Sequence, residues 1–135
     1  MIGITDAEHE ETAPGAPTLL ISKLSCSLVG KIEKVRIIPG SLAHQAYGDQ
    51  EVSEQFACNY GLNREYLKKL EERGLRITGV DADGDARIIE LPGHRFFVGT
   101  LFLPQLLSRP DRPHPLITAY VRAALSFQAA GHPHK

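Results

Sequence analysis

Phe96-Phe97-Val98-Gly99-Thr100-Leu101-Phe102-Leu103-Pro104-Gln105 is the stretch whose reading decides the fold. Phe96, Val98 and Thr100 alternate with Phe97, Gly99 and Leu101, so the run predicts a strand over residues 96–102. Pro92-Gly93 before it is a turn signal, and Pro104 after it stops the strand. Residues 75–80 and 86–91 flank Asp81-Ala82-Asp83-Gly84-Asp85, which reads as a hairpin with the 96–102 strand laid beside it. A calcium loop needs Gly at the sixth place and Glu at the twelfth. Here Gly84 falls at the fourth and Pro92 at the twelfth, so a turn is the better reading.

Working outward, residues 18–21 and 24–29 are apolar runs, and Val35-Arg36-Ile37-Ile38 is a strand stopped by Pro39-Gly40. Ser41 caps a short helical turn to Tyr47, with Gly48 as its stop. Residues 52–60 alternate as one further strand. Asn63 is the N-cap of a helix carrying Glu65 in its first turn, Tyr66, Leu67 and Leu70 on its apolar side, and Gly74 as its end. Pro115 or Leu116 begins the last helix, with Leu116, Tyr120, Ala123, Ala124 and Phe127 at helical spacing. Residues 1–17 form a polar leading loop and 131–135 a frayed tail. The pattern alone gives one α+β domain over 1–135, with a mainly antiparallel sheet and two main helices.

The composition excludes several function classes. Hydrophobic residues are 42%, charged residues 23% and the net charge is −1, a globular profile without the basic excess that nucleic acid or an anionic membrane surface requires. No apolar run approaches the ~20 residues of a membrane helix. Residues 2–8 lack the basic and apolar regions of a secretion signal. Cys26 and Cys58 are too few for a disulfide framework, so a cytoplasmic protein with free thiols is expected. Glu8-His9-Glu10-Glu11 offers donors, but adjacent residues rarely converge on one ion, and neither a metal nor a cofactor is expected.

The order of motifs from Glu90 to Leu116 resembles the end of the glutaminase domain of the CTP synthase family of class I glutamine amidotransferases, which reads F-F-V-G-x-Q-F-H-P-E and then S-R-P-x-R-P-H-P-L. The resemblance continues through Gly3-Ile4-Thr5-Asp6-Ala7 with Glu11, Pro39-Gly40-Ser41 with Tyr47-Gly48, and Gly74-Leu75 with Thr78-Gly79. Glu54, Tyr60 and Asn63 match the outer positions of E-R-H-R-H-R-Y-E-V-N. The implied architecture is the C-terminal half of an α/β, flavodoxin-like domain. The first half of that domain carries the parallel strands, the oxyanion donors and a Cys in a G-x-C-x-G elbow. No such elbow is present in these residues, and alignment places it upstream of Met1.

The resemblance implies a catalytic His and Glu at two positions that are Leu103 and Gln105 here. Leu103 has no nitrogen to take a proton from a thiol, and Gln105 carries no charge to stabilise an imidazolium. Loss of the base from such a unit costs several orders of magnitude in rate. The resemblance also gives Glu11 as the contact of the substrate amino group and Tyr60 as a pocket neighbour, while the Arg that grips the substrate carboxylate is Asn59. As a solvated loop residue, Glu11 needs no role at all.

The expectation is a glutamine amidotransferase-like domain without glutaminase activity, acting by binding or assembly. Its partners would be a small amide or amino-acid ligand, and a second copy or a partner chain that supplies strands. The alternative is part of an amidase whose elbow lies upstream or on another chain, with His9, Glu11, Cys58 and Tyr60 as replacements. Arg109, Arg112 and His114 form a small basic patch that either packs the last helix or docks a partner.

Overall fold

The computed structural model describes residues 3–131. Its strands are β1 (Glu8–His9), β2 (Leu19–Lys23), β3 (Ile32–Ile37), β4 (Glu51–Gln55), β5 (Tyr60–Leu62), β6 (Arg76–Val80), β7 (Ala86–Glu90) and β8 (Val98–Thr100). Five of them form an antiparallel sheet in the order β4-β3-β6-β7-β8. The other three form a smaller sheet, in which β1 runs parallel to β2 and β2 antiparallel to β5. The helices are α1 (Leu42–Tyr47), α2 (Arg64–Glu72) and α3 (Pro115–Ala129), with a 3-10 turn over Pro104–Leu106. This mixed α/β architecture is the class the sequence predicts.

β7 is buried at every residue but the half-buried Ile89, because it is covered on both sides. Ile88 belongs to a core with Val35, Ile37, Phe56, Phe102 and Leu116, where α1 and α3 pack on the large sheet. Its neighbour Ile89 points the other way, toward Leu70, Leu75 and Leu91 beneath α2 and the small sheet. Each fully buried Ile or Phe contributes roughly 1.5–3 kcal/mol. At the β6–β7 bulge, a Cβ on Gly79 would stand 2.5 Å from Cγ1 of Ile88, so only glycine lets that side chain fill the core.

The hairpin turn is closed by Asp81, whose Oδ1 accepts the N–H groups of Asp83 (3.0 Å) and Asp85 (2.8 Å). Its Oδ2 meets Arg87 Nη2 at 2.7 Å, so the acidic run is consumed by its own turn. Asn63 caps α2 as predicted, through Glu65 N–H at 3.1 Å. Ser41 caps α1, which ends at Gly48 with φ of 76°.

Four readings change. Residues 52–60 are two strands in two sheets. After β4 the backbone crosses between them, pairing Phe56, Cys58 and Asn59 with the 24–31 loop. No proline or glycine between Gln55 and Tyr60 announces that crossing. The apolar run 24–29 is therefore a loop, held at Leu24, Leu28 and Gly30 by those same bonds. The 96–102 strand shortens to three residues, because Phe102 leaves the sheet to fill the core. The leading loop contains β1. Of the tail, residues 132–135 lie outside the described residues.

Candidate functional site

A cavity of about 510 Å³ opens between the small sheet and the β7–β8 end of the large one. The crossing after β4 builds one wall, bringing Cys58, Asn59 and Tyr60 beside His9 and Glu11 from the leading segment and Arg87 from β7. Glu11, Asn59 and Tyr60, far apart in sequence, thus share one cavity. Leu103 and Gln105 do not line it, although Leu101 does. Leu103 is half-buried and gives its N–H to Gln55 O at 3.3 Å; Gln105 is exposed on the 3-10 turn.

The hydrogen bonds fix what these groups can do. His9 Nδ1 accepts the backbone N–H of Glu11 at 3.1 Å, so in the neutral ring Nε2 carries the proton and is a donor. The His9 and Tyr60 rings lie 5.1 Å apart, tilted by 53°. The Cys58 S–H donates to Leu101 O at 3.2 Å, which directs the thiol proton to the protein backbone rather than to a base. Glu11 and Asn59 are exposed at the rim, and Tyr60 is half-buried. The cavity therefore offers an acid, an amide, an aromatic wall and a guanidinium, a set suited to holding a small polar molecule. No group of three or more His, Cys, Asp or Glu residues converges to hold a metal among the described residues.

Arg87 is the charged lining residue that the sequence reading missed. It sits among aliphatic residues in a predicted strand, and a charge at a buried strand position is the signal that points to it. It is 6% exposed.

A second constellation lies away from this cavity. Glu54 Oε1 accepts from the Tyr47 hydroxyl at 2.5 Å and lies 2.5 Å from His114 Nε2. His114 Nδ1 accepts Leu116 N–H at 3.1 Å, which caps α3 and puts the ring proton on Nε2. Burial, then the hydrogen bond to Glu54 and its charge, hold the Tyr47 phenol far above its ordinary range, so it stays protonated. His114 is buried and belongs to this network rather than to a basic patch; Arg109 and Arg112 pair their backbones in an exposed turn. The proline-rich loop thus packs the last helix. Glu54 and His114 join β4 to α3, and Tyr47 adds α1.

No family model matches the chain. It is 44% identical over 140 residues to the CTP synthase of Archaeoglobus fulgidus, covering 95% of this chain and 26% of that protein. It is 45% identical over 98 residues to the CTP synthase of Saccharopolyspora erythraea, covering 70% of this chain and 17% of that protein. The chain thus spans about a sixth to a quarter of the length of these curated relatives. Its fold matches the solved glutaminase domain of Trypanosoma brucei CTPS with bound acivicin, with a TM-score of 0.86 and 24% identity, covering 93% of this chain and 53% of that one.

Proposed function

We propose that this chain, a relative of CTP synthases with the fold of their glutaminase domain, binds a small amide or amino-acid ligand and does not hydrolyse glutamine. The observation that carries the reading is Leu103 with Gln105 where the resembling family has His and Glu. Whatever polypeptide accompanies these residues, the base position is an aliphatic side chain, and a thiol elsewhere would find no proton acceptor there. Glu11, Asn59 and Tyr60 on one cavity support retained binding. In this reading Glu11 receives the ligand's ammonium, Tyr60 walls the pocket, and Asn59 replaces a charged grip with a neutral one.

The test is ammonia release from L-glutamine by the purified chain, run beside a Glu11→Ala variant and a blank, with calorimetric titration of L-glutamine in parallel. Release at the blank rate with measurable binding is expected. Turnover above both controls overturns the reading.

A second reading, an amidase built from replacements, draws on His9, Glu11 and Cys58 lining the same cavity. Two bonds weigh against it: His9 Nδ1 is taken by Glu11 N–H, and the Cys58 thiol donates to Leu101 O. Assembly is the other arm of the proposal. Tyr120, Val121 and Leu125 are about half exposed on α3, and self-association through that face would appear in light scattering of the purified chain.

A further inference from the structure

We infer that Arg87 is the carboxylate-receiving group of the cavity, and that the ligand is a zwitterion whose carboxylate is free. This rests on the reading of the cavity as a ligand site and goes beyond it, since Asn59, at the position that aligns with the gripping Arg, offers no charge. Arg87 comes from a different strand, β7, and is the one guanidinium or ammonium among the described lining residues.

The side chain is held before any ligand arrives. Nη2 is fixed on Asp81 Oδ2 at 2.7 Å, Nη1 donates to the carbonyl of Ala86 at 3.2 Å, and the guanidinium carbon lies 5.9 Å from the Phe56 ring centroid. A guanidinium has five N–H donors in a fixed fork, and these two bonds leave capacity for a further acceptor. Ordering such a long side chain in advance removes a cost that binding would otherwise carry.

Residue 61 decides whether that capacity is reachable. Gly61 lines the cavity beside Arg87, and a Cβ there would lie 3.7 Å from Nη1 and 2.9 Å from Cδ2 of Leu24. Any larger side chain would begin to cover the guanidinium. The family segment that Glu54, Tyr60 and Asn63 match has Glu at this place; here the glycine leaves the fork open.

Charge balance selects the class of ligand. Arg87 pairs with Asp81 and Arg64 with Asp85, whose Oδ2 also lies 3.9 Å from Arg87 Nη2, so these two guanidiniums are balanced by two carboxylates before a ligand enters. A ligand with a carboxylate alone would add a negative group beside Glu11 at the rim. A zwitterion places its ammonium toward Glu11 and its carboxylate toward Arg87.

The experiment titrates the purified chain calorimetrically with L-glutamine and with its α-methyl ester, which keeps the ammonium and the amide. The acid is expected to bind at least about tenfold more tightly than the ester, the size of one charge-assisted hydrogen bond. In Arg87→Gln the acid-to-ester ratio falls to near one, and Arg87→Lys keeps part of it. A purely structural Arg87 would change stability and leave the ratio alone. Should Arg87→Gln fail to fold, the two ligands on the unaltered chain still decide. Equal binding of acid and ester overturns this inference while the cavity reading survives. Binding of neither compound overturns both.

Discussion

Glu54 and His114, sixty residues apart, meet at 2.5 Å with both side chains under 5% exposed. That contact joins an edge strand to the first turn of the last helix, because the same imidazole accepts Leu116 N–H through its other nitrogen. His114→Ala should therefore lose three things together: a hydrogen bond to a buried carboxyl group, a helix cap and a filled ring volume. The expected cost is about 3 kcal/mol, or a fall of ~10 °C in Tm. Calorimetric melting checks it. A loss below about 1 kcal/mol, the size of one ordinary hydrogen bond, would mean that α3 docks without this contact.

Tyr47 gives the network a sign on the alkaline side. Its folded-state pKa is raised above the unfolded value, so the folded chain holds this proton more tightly and the contribution is complete below about pH 10. Above that, the unfolded phenol ionises while the folded one does not, and stability falls as pH rises. The limiting slope is about 1.4 kcal/mol per pH unit. Tyr47→Phe removes the group, so the advantage of the unaltered chain over the variant should shrink by about 1 kcal/mol between about pH 10 and 11. Parallel curves in urea melts at those two pH values would show that Tyr47 is not held protonated.

Gly79 offers a test of the core. The ideal Cβ position stands 2.5, 2.7 and 2.8 Å from three atoms of Ile88, a side chain with no exposure and no room to retreat. Gly79→Ala should cost about 2 kcal/mol by overpacking. The paired change Gly79→Ala with Ile88→Val should recover part of that, measured by denaturant melting. No recovery would place the strain in the bulge backbone rather than in the side-chain clash.

Local chemistry was legible in the sequence; the relation between sheets was not. Ser41, Gly48 and Asn63 announce their helix ends because capping needs only neighbours. The Asp81 turn reads correctly for the same reason. The crossing at residues 56–59 was hidden, since its bonds go to the 24–31 loop and carry no local signal. The cavity follows from that crossing, so Glu11, Asn59 and Tyr60 were named through family resemblance, and their meeting in space came only with the fold. Arg87 stands out in the sequence as a charge within an apolar strand, but its partners, like those of His114, are supplied only by tertiary structure.

Restoring the two absent side chains should not restore chemistry. With Leu103→His and Gln105→Glu, a base returns just before the 3-10 turn and its orienting acid within it. Both positions lie off the cavity, and the thiol on the cavity donates to Leu101 O. The double variant should release ammonia from L-glutamine at the rate of the blank. Turnover above it would mean that the replacements at 103 and 105 alone silence an otherwise competent site.

The two cysteines report whether the cavity is occupied. Cys26 is exposed on the 24–31 loop, while Cys58 is half-buried on the cavity wall with its S–H committed to a backbone carbonyl. A thiol reagent such as an aromatic disulfide needs a thiolate and a clear approach, so Cys26 should react fast and Cys58 at least ~10-fold more slowly. A Cys26→Ser chain isolates the slow phase. A molecule seated between Tyr60 and Arg87 would stand in the path to Cys58, so saturating L-glutamine should slow that phase further, while its effect on Cys26 in a Cys58→Ser chain should be nil. Protection of Cys58 alone ties binding to this wall. Equal protection of both, or of neither, would move the ligand elsewhere or remove it.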